Sequence, residues 1–458
     1  MIAMTLAEIA EVTGGRVVGA DPGARVTGPV EFDSRKLVPG GLFVAFAGEK
    51  VDGHEFAPAA VAAGAAGVLG TRETAAPGVV VADQLVALAR LARVVVDRLD
   101  ALTVVGLTGS SGKTTTKDFI GQLLARLGPT VAPPGSLNNE LGHPYTVLKA
   151  GPDTRFLVLE MGARGVGHIR HLAQIALPRI GVVLNIGAAH IGEFGSVEGT
   201  AEAKGELVEA LPADGVAVLN ADDPLVAAMA GRTRARIVRF GEAEQADVRA
   251  VGVTLDARGR ASYTLVADGR KAPVRLAVTG LHQVSNTLAA AAVALTAGMP
   301  LDQVAAVLGE VGIASVRRMD VFDRPDGVTV IDDSYNANPS STEAALRALA
   351  ALGAGRRTVA VLGYMAELGE YERSGHEQVG RLAAELGVDR LIAVAEAAPI
   401  LAGAATVGSW TGQGLHAADQ AAAIAELDLR PGDVVLVKGS RYRTWEVADS
   451  LRPEGVRP

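Results

Sequence analysis

Residues 104–119, "VVGLTGSSGKTTTKDF", decide what the middle of this chain must be. The apolar run before Gly109 reads as a buried strand, and "KTTTKDFIGQLLARLG" (residues 113–128) reads as a helix. A strand, a glycine-rich turn, Lys-Thr and a helix form the context in which a phosphate-binding loop is expected. Gly109 and Gly112 let backbone N–H groups turn toward an anion, and Lys113 brings a point charge for the β and γ phosphates. Thr114 or Thr115 offers an oxygen for Mg²⁺, while the helix N-terminus favours the anion. The common spacing would also place a glycine at 107, where Leu107 stands. The competing reading is a strand–helix turn with no ligand, against which the run Ser110-Ser111-Gly112-Lys113-Thr114-Thr115-Thr116 argues.

Working outward, 458 residues are too many for one ordinary core and suggest several domains. Composition is 49% hydrophobic and 21% charged, which suits a soluble globular chain. With aromatics at 4% and a net charge of −8, the chain lacks both a stacking platform and a basic face, so no nucleic-acid partner is expected. There is no cysteine, which removes disulfides, zinc–thiolate sites and thiol catalysis. The N-terminus shows no basic segment followed by a long apolar one, and the alanine-rich runs are too short to span a bilayer. A cytoplasmic protein, without membrane insertion and monomeric, is the expectation.

The pattern divides into an α/β unit over 1–98, a parallel-sheet unit over 99–315 carrying the phosphate loop, and a second α/β unit over 316–458. In the middle unit "LTVVGLTG", "RFLVLEMG", "RIGVVLNIG" and "GVAVLN" are short continuous apolar runs, as strands covered on both faces require. "GRASYTLVADG" and "VRLAVTG" read as antiparallel additions. In the last unit "GVTVIDD", "RTVAVLG", "RLIAVA" and "DVVLVKGS" are again buried-type strands.

Several residues beside the loop invite chemistry. Glu160 ends the run "RFLVLE", where a carboxylate at the C-terminal end of a parallel strand is placed to hold Mg²⁺; an ordinary exposed acid is the equal alternative. His190 sits in a glycine-rich loop on the same sheet edge. Lys204 falls on the apolar face of the helix "TAEAKGELVEAL" with Ala201, Leu207, Val208 and Leu211. Periodicity alone has it snorkelling to water. A buried Lys204 with a lowered pKa would instead be neutral enough to react with CO₂, giving a metal-binding carbamate. His282 and Asn286 share one side of a helix start, where Asn286 suits either an adenine edge or a cap. "VIDDSYNANPSS", closed by Pro339, suits a ribose and base contact.

Taken together these blocks resemble the Mur ligases, the ATP-dependent amide ligases that build the peptidoglycan stem peptide. The likeness runs through "FDSRKLVPGGLFVAFAGEKVDGHEF", "TGSSGKTTTK", "NNELGHP", "LEMGARGVGHI", "NIGAAHIGEFGS", "AKGE", "GLHQVSN", "DDSYNANPSS" and "VKGSR", essentially the full length. The family loop T-G-x-x-G-K-T also accounts for Leu107. The resemblance implies a uridine-nucleotide domain, an ATP domain and a Rossmann-like C-terminal domain. It implies ATP held by Thr108, Gly109, Ser110, Ser111, Gly112, Lys113, Thr114 and Thr115, with Asn286, Arg318 and Asp333 on the nucleotide. Mg²⁺ would be met by Thr114, Glu160, His190 and a carbamylated Lys204, with Lys113, Lys204 and His190 catalytic. Ser34 and Arg35 would lie near the UDP moiety, and Asn138 and Asn139 near the substrate. Within the family the blocks resemble the branch whose substrates are UDP-N-acetylmuramoyl-tripeptide and D-alanyl-D-alanine, joined through an acyl phosphate. One departure is Tyr364 in "VLGYMAELGE", where the family often has an acid.

Overall fold

A computed structural model gives the fold and describes residues 1–48, 51–187, 191–440 and 443–453. Its frame is three sheets met in chain order.

The first is five-stranded, with the strands Val30–Glu31, Leu42–Val44, Gly67–Gly70 and Gly78–Val80 parallel and Arg16–Val18 antiparallel on one edge. The helix Leu6–Thr13 opens this part with Thr5 and Glu8 as a reciprocal cap, and it ends at Gly14 with φ 70. The helix Gln84–Asp97 then leads to the next sheet.

The second sheet has nine strands, seven of them consecutively parallel. The phosphate-loop strand Thr103–Thr108 lies between Phe156–Glu160 and Ile180–Val183. A strand with parallel neighbours on both sides delivers its C-terminal loop to the middle of the sheet edge, where crevices for ligands form. The hairpin Arg260–Ala267 and Arg270–Thr279 extends the sheet antiparallel. Two strands that the apolar runs did not reveal, Arg236–Gly241 and Val248–Leu255, link it to the parallel part.

The third sheet has six strands. Five are parallel, and Asp320–Asp323 pairs antiparallel at one edge. Its two edge strands, Asp320–Asp323 and Gln413–Ala417, are largely uncovered and carry no apolar run. The four inner strands are fully buried.

Residues 315–319 join the second sheet to the third. Two of them, Arg317 and Met319, are non-glycine residues with φ 59 and 52. The left-handed region costs an L-residue about 1 kcal/mol, so something must hold the turn. The Arg317 guanidinium reaches Asp449 in two bonds, 2.8 and 3.0 Å, on the C-terminal side. On the other side Ser315 N–H donates to Asp118 at 2.8 Å, and Gly135 N–H donates to the Ser315 hydroxyl at 2.9 Å. Asp118 belongs to the phosphate-loop helix and pairs with Lys117 at 3.1 Å, both buried. The connector is thus fastened directly to the helix that begins at the phosphate loop.

Candidate functional site

The phosphate loop is held from outside by Asn185, a residue that sequence reading passed over. Its side-chain carbonyl accepts Ser111 N–H at 2.9 Å, its amide donates to Ser111 O at 3.2 Å, and its backbone carbonyl accepts Ser110 N–H at 3.0 Å. Gly112 has φ +79, and a Cβ there would stand 2.5 Å from the Asn286 amide oxygen. Both the conformation and the close approach therefore require glycine. Lys113 folds back to donate to Gly109 O at 2.7 Å. Burial holds its pKa below the usual lysine range, with Glu160 opposing.

Glu160 sits at the strand end beside this loop. One oxygen accepts the Thr114 hydroxyl at 2.9 Å, and the other accepts Ser136 and Asn138, each at 2.8 Å. The exposed-acid alternative is therefore excluded: the carboxylate is buried and gathers three donors. Asn138 lies with the nucleotide-side groups through this bond. Asn139 turns away, its side chain accepting Gly142 N–H at 2.8 Å.

The opposite wall comes from the third sheet. Arg318 lies 4.1 Å over the Tyr335 ring and reaches the Thr114 hydroxyl at 3.4 Å. Asp333 accepts Met319 N–H at 3.1 Å and forms a buried ion pair with Lys438. Lys438 also donates to Asn336 O at 2.9 Å. Its role was not apparent in the "VKGSR" block, because a strand-end lysine is ordinarily a solvated one. Asn286 faces the cavity from the helix Gln283–Thr296, bonded to Gln283 at 2.9 Å rather than capping. His282 joins it, kept neutral with a pKa of about 4 mainly by burial. Ser110 to Thr115, Asn138, Glu160, Asn286, Arg318 and Asp333 line one cavity of about 450 Å³.

The remaining expected residues fall elsewhere. Thr108 is fully buried and donates to Met161 O at 2.9 Å, tying two strands together rather than facing the cavity. Gly109 does not line the cavity, and its carbonyl accepts the Lys113 ammonium at 2.7 Å. Ser34 and Arg35 form a short turn on the first sheet's side of the molecule, with Arg35 paired to Asp33 at 2.8 Å and largely exposed. His190 lies outside the described residues.

Lys204 does not snorkel. Its side chain is 2% exposed, in the helix Val197–Glu209, with Nζ 5.6 Å from the Phe194 ring centroid. Desolvation, with Lys113 adding repulsion, brings its pKa down to about 7. The expected face lost one member, since Leu211 lies beyond the helix end, although it is buried.

Family models match in the same order as the sheets: a Mur ligase family catalytic domain over residues 27–105, a Mur ligase middle domain over 107–294, and a Mur ligase glutamate ligase domain over 317–441. The chain belongs to the Mur ligase family. Within that family it is 50% identical to the UDP-N-acetylmuramoyl-tripeptide–D-alanyl-D-alanine ligase of Mycobacterium tuberculosis (strain H37Rv), over 98% of both chains. Among solved structures, MurF from Acinetobacter baumannii superposes with a TM-score of 0.85 at 32% identity, over 98% of each chain. MurF from Thermotoga maritima in complex with ADP superposes with a TM-score of 0.79 at 30% identity, over 93% of this chain and 97% of that one. The three-domain α/β Mur ligase fold is therefore the fold of this chain.

Proposed function

We propose that this Mur ligase joins D-alanyl-D-alanine to UDP-N-acetylmuramoyl-tripeptide at the expense of ATP, as the names of its relatives describe. The observation that carries the reading is the cavity between phosphate loop and third sheet, with Lys113 and Glu160 on one wall and Arg318, Asp333 and Lys438 on the other. A free carboxylate does not react with an amine in water, so it must first become an acyl phosphate, and that mixed anhydride must be kept from hydrolysis. A site completed only when two domains meet does this by closing around the reactants.

The roles follow from position. Ser110 to Thr115 cradle the phosphates, Lys113 offsets charge on the transferred phosphoryl group, and Arg318 approaches the same oxygens from the other domain. Asn286 and Asp333 flank the place left for the nucleoside. In the first domain, Ser34 and Arg35 would meet the uridine nucleotide.

The donor set fits Mg²⁺. One buried carboxylate, Glu160, bonded to the Thr114 hydroxyl, is the kind of partial shell Mg²⁺ completes with phosphate and water oxygens. Among the described residues no cluster of three His, Asp or Glu side chains forms a cage of its own. When bound, the ion would neutralise charge shared between phosphate oxygens. Lys204 as a carbamate would add a second carboxylate, and a buried amine with a pKa of about 7 is largely unprotonated at pH 8, as reaction with CO₂ demands.

The test is phosphate release from ATP and Mg²⁺ with UDP-N-acetylmuramoyl-tripeptide, with and without D-alanyl-D-alanine. Release that needs both substrates, with a product heavier by one dipeptide, is expected. Release indifferent to both would leave a nucleotide-dependent switch and remove the ligase reading.

A further inference from the structure

Arg318 reaches the cavity from the connector between the second and third sheets, and its own bonds hold it loosely. Its contact with the Thr114 hydroxyl is long, at 3.4 Å, and its Nε is buried with no hydrogen-bond partner among the described residues. A donor kept from water with nothing to accept from it is costly, which suits a group that waits for a ligand. What aims this side chain is the backbone that carries it and the ring on which it lies.

Both depend on Arg317. Its carbonyl accepts Tyr335 N–H at 3.2 Å, and Tyr335 supplies the ring under the Arg318 guanidinium. The ends of the connector are tied, by Ser315 N–H to Asp118 and by Met319 N–H to Asp333. Its middle gains little from packing, since Val316 is 49% exposed. Residue 317 must also keep φ 59, from which an L-residue tends to relax. The anchor is Asp449, whose two oxygens take the Arg317 guanidinium at 2.8 and 3.0 Å. Such a bidentate pair fixes direction as well as distance. Asp332 cannot stand in for it: the nearer oxygen lies 3.9 Å from Arg317 and already accepts Arg452 at 2.7 Å. Asp449 is carried on the helix Trp445–Ser450, which is seated on the third sheet through Val447 and Ala448. It does not line the cavity.

We infer that Asp449 is a positioning residue for phosphoryl transfer, acting through Arg317 to aim Arg318 at the phosphate oxygens. This rests on the role given to Arg318 above. The Asp449 side chain is 41% exposed, and a pair that open adds little to global stability. Its effect is on direction. A displacement of about 1 Å at a reacting centre costs on the order of a hundredfold in rate, so a bond remote from the reactants can govern turnover while contributing little to folding. The C-terminal helix thereby serves the site from behind, without touching a substrate.

The experiment is a double-mutant cycle with Asp449→Asn and Arg318→Met. It is read in two ways: as kcat/KM for ATP in phosphate release, and as the Kd of a non-hydrolysable ATP analogue with Mg²⁺, which stays measurable where turnover is too slow. Asp449→Asn alone is expected to lower kcat/KM by about tenfold to a hundredfold and to raise the Kd severalfold, with the thermal midpoint within a few degrees of the wild type. In the Arg318→Met protein the same substitution changes neither quantity further, because no guanidinium is left to aim. Asp449→Glu, which keeps the carboxylate on a longer stem, recovers part of the loss. An Asp449→Asn effect of equal size in both backgrounds overturns this inference alone, as does an Asp449→Asn protein with wild-type kcat/KM and Kd. An Arg318→Met protein that keeps the wild-type values removes the role given to Arg318, and this inference with it. Release that needs no dipeptide removes the ligase reading while the binding cycle still decides the part played by Asp449.

Discussion

Lys113→Met is expected to lower kcat/KM for ATP by on the order of 10³, the scale seen when a preorganised group serving the transition state is removed. The lysine lies over its own loop, bonded to Gly109 O, and desolvation already works against its charge. It is therefore not there for the fold. A cation held in a partly dry site interacts strongly with phosphate oxygens because little water competes. Methionine keeps the stem's bulk and removes the charge. Circular dichroism should match the wild type and the thermal midpoint should be no lower, since methionine avoids the burial cost of the charge, so the loss belongs to chemistry. Activity within tenfold of wild type would mean that Arg318 and the loop amides carry the phosphoryl group without it.

Lys204→Met gives the second large effect, in two opposed directions. Activity should fall by on the order of 10³, because the proposed carbamate is lost along with the amine. Stability should rise. Lys204 titrates at about 7 in the folded protein against 10.5 as a free side chain, chiefly through desolvation. Between those values the unfolded chain holds a proton that the folded one has released. Wild-type stability therefore increases with pH from about 7 toward 10.5 and is flat below 7 as far as this group goes. At pH 7 the burial costs on the order of 3–5 kcal/mol, which methionine at the same place does not incur. Denaturant midpoints in carbonate-free buffer should favour the variant at pH 7, with the gap shrinking toward pH 10. A gap that stays constant over this range would show that Lys204 does not titrate in the fold as argued.

The order of events along the chain was legible wherever a strand is covered on both faces. Thr103–Thr108, Phe156–Glu160, Ile180–Val183 and Val434–Lys438 have continuous apolar centres, because strands covered on both faces need them, with polar residues confined to their ends. Arg236–Gly241 escaped because Arg236 and Arg239 interrupt its run. Asp320–Asp323 and Gln413–Ala417 escaped because edge strands need little apolar surface. The phosphate loop was legible from local spacing, and its support by Asn185 was not, since 74 residues separate Asn185 from Ser111. Periodicity put Lys204 on the apolar face but could not say whether its ammonium escapes, which depends on whether the side chain finds a way out to water. Asn138 and Asn139 are adjacent in sequence and look equivalent. Only the bond to Glu160 and the bond to Gly142 show one serving the cavity and the other a helix start.

The large sheets number three among the described residues, but the apolar cores do not follow them one for one. One cluster runs from Leu6, Ile9 and Leu69 through Leu88 and Leu91 to Leu157, Leu172 and Leu207, so the first and second sheets share it through the helix Gln84–Asp97. The third sheet has two clusters of its own, one on each face. A molecule built this way denatures in two cooperative blocks rather than three. Residues 1–315 form one block, and the C-terminal part is free to melt separately. In calorimetry the two endotherms would stand apart without ligand and draw together once a nucleotide spans the cavity, because a bound molecule links the stabilities of whatever it touches. A single midpoint quoted for this chain would then describe the ligand concentration as much as the protein.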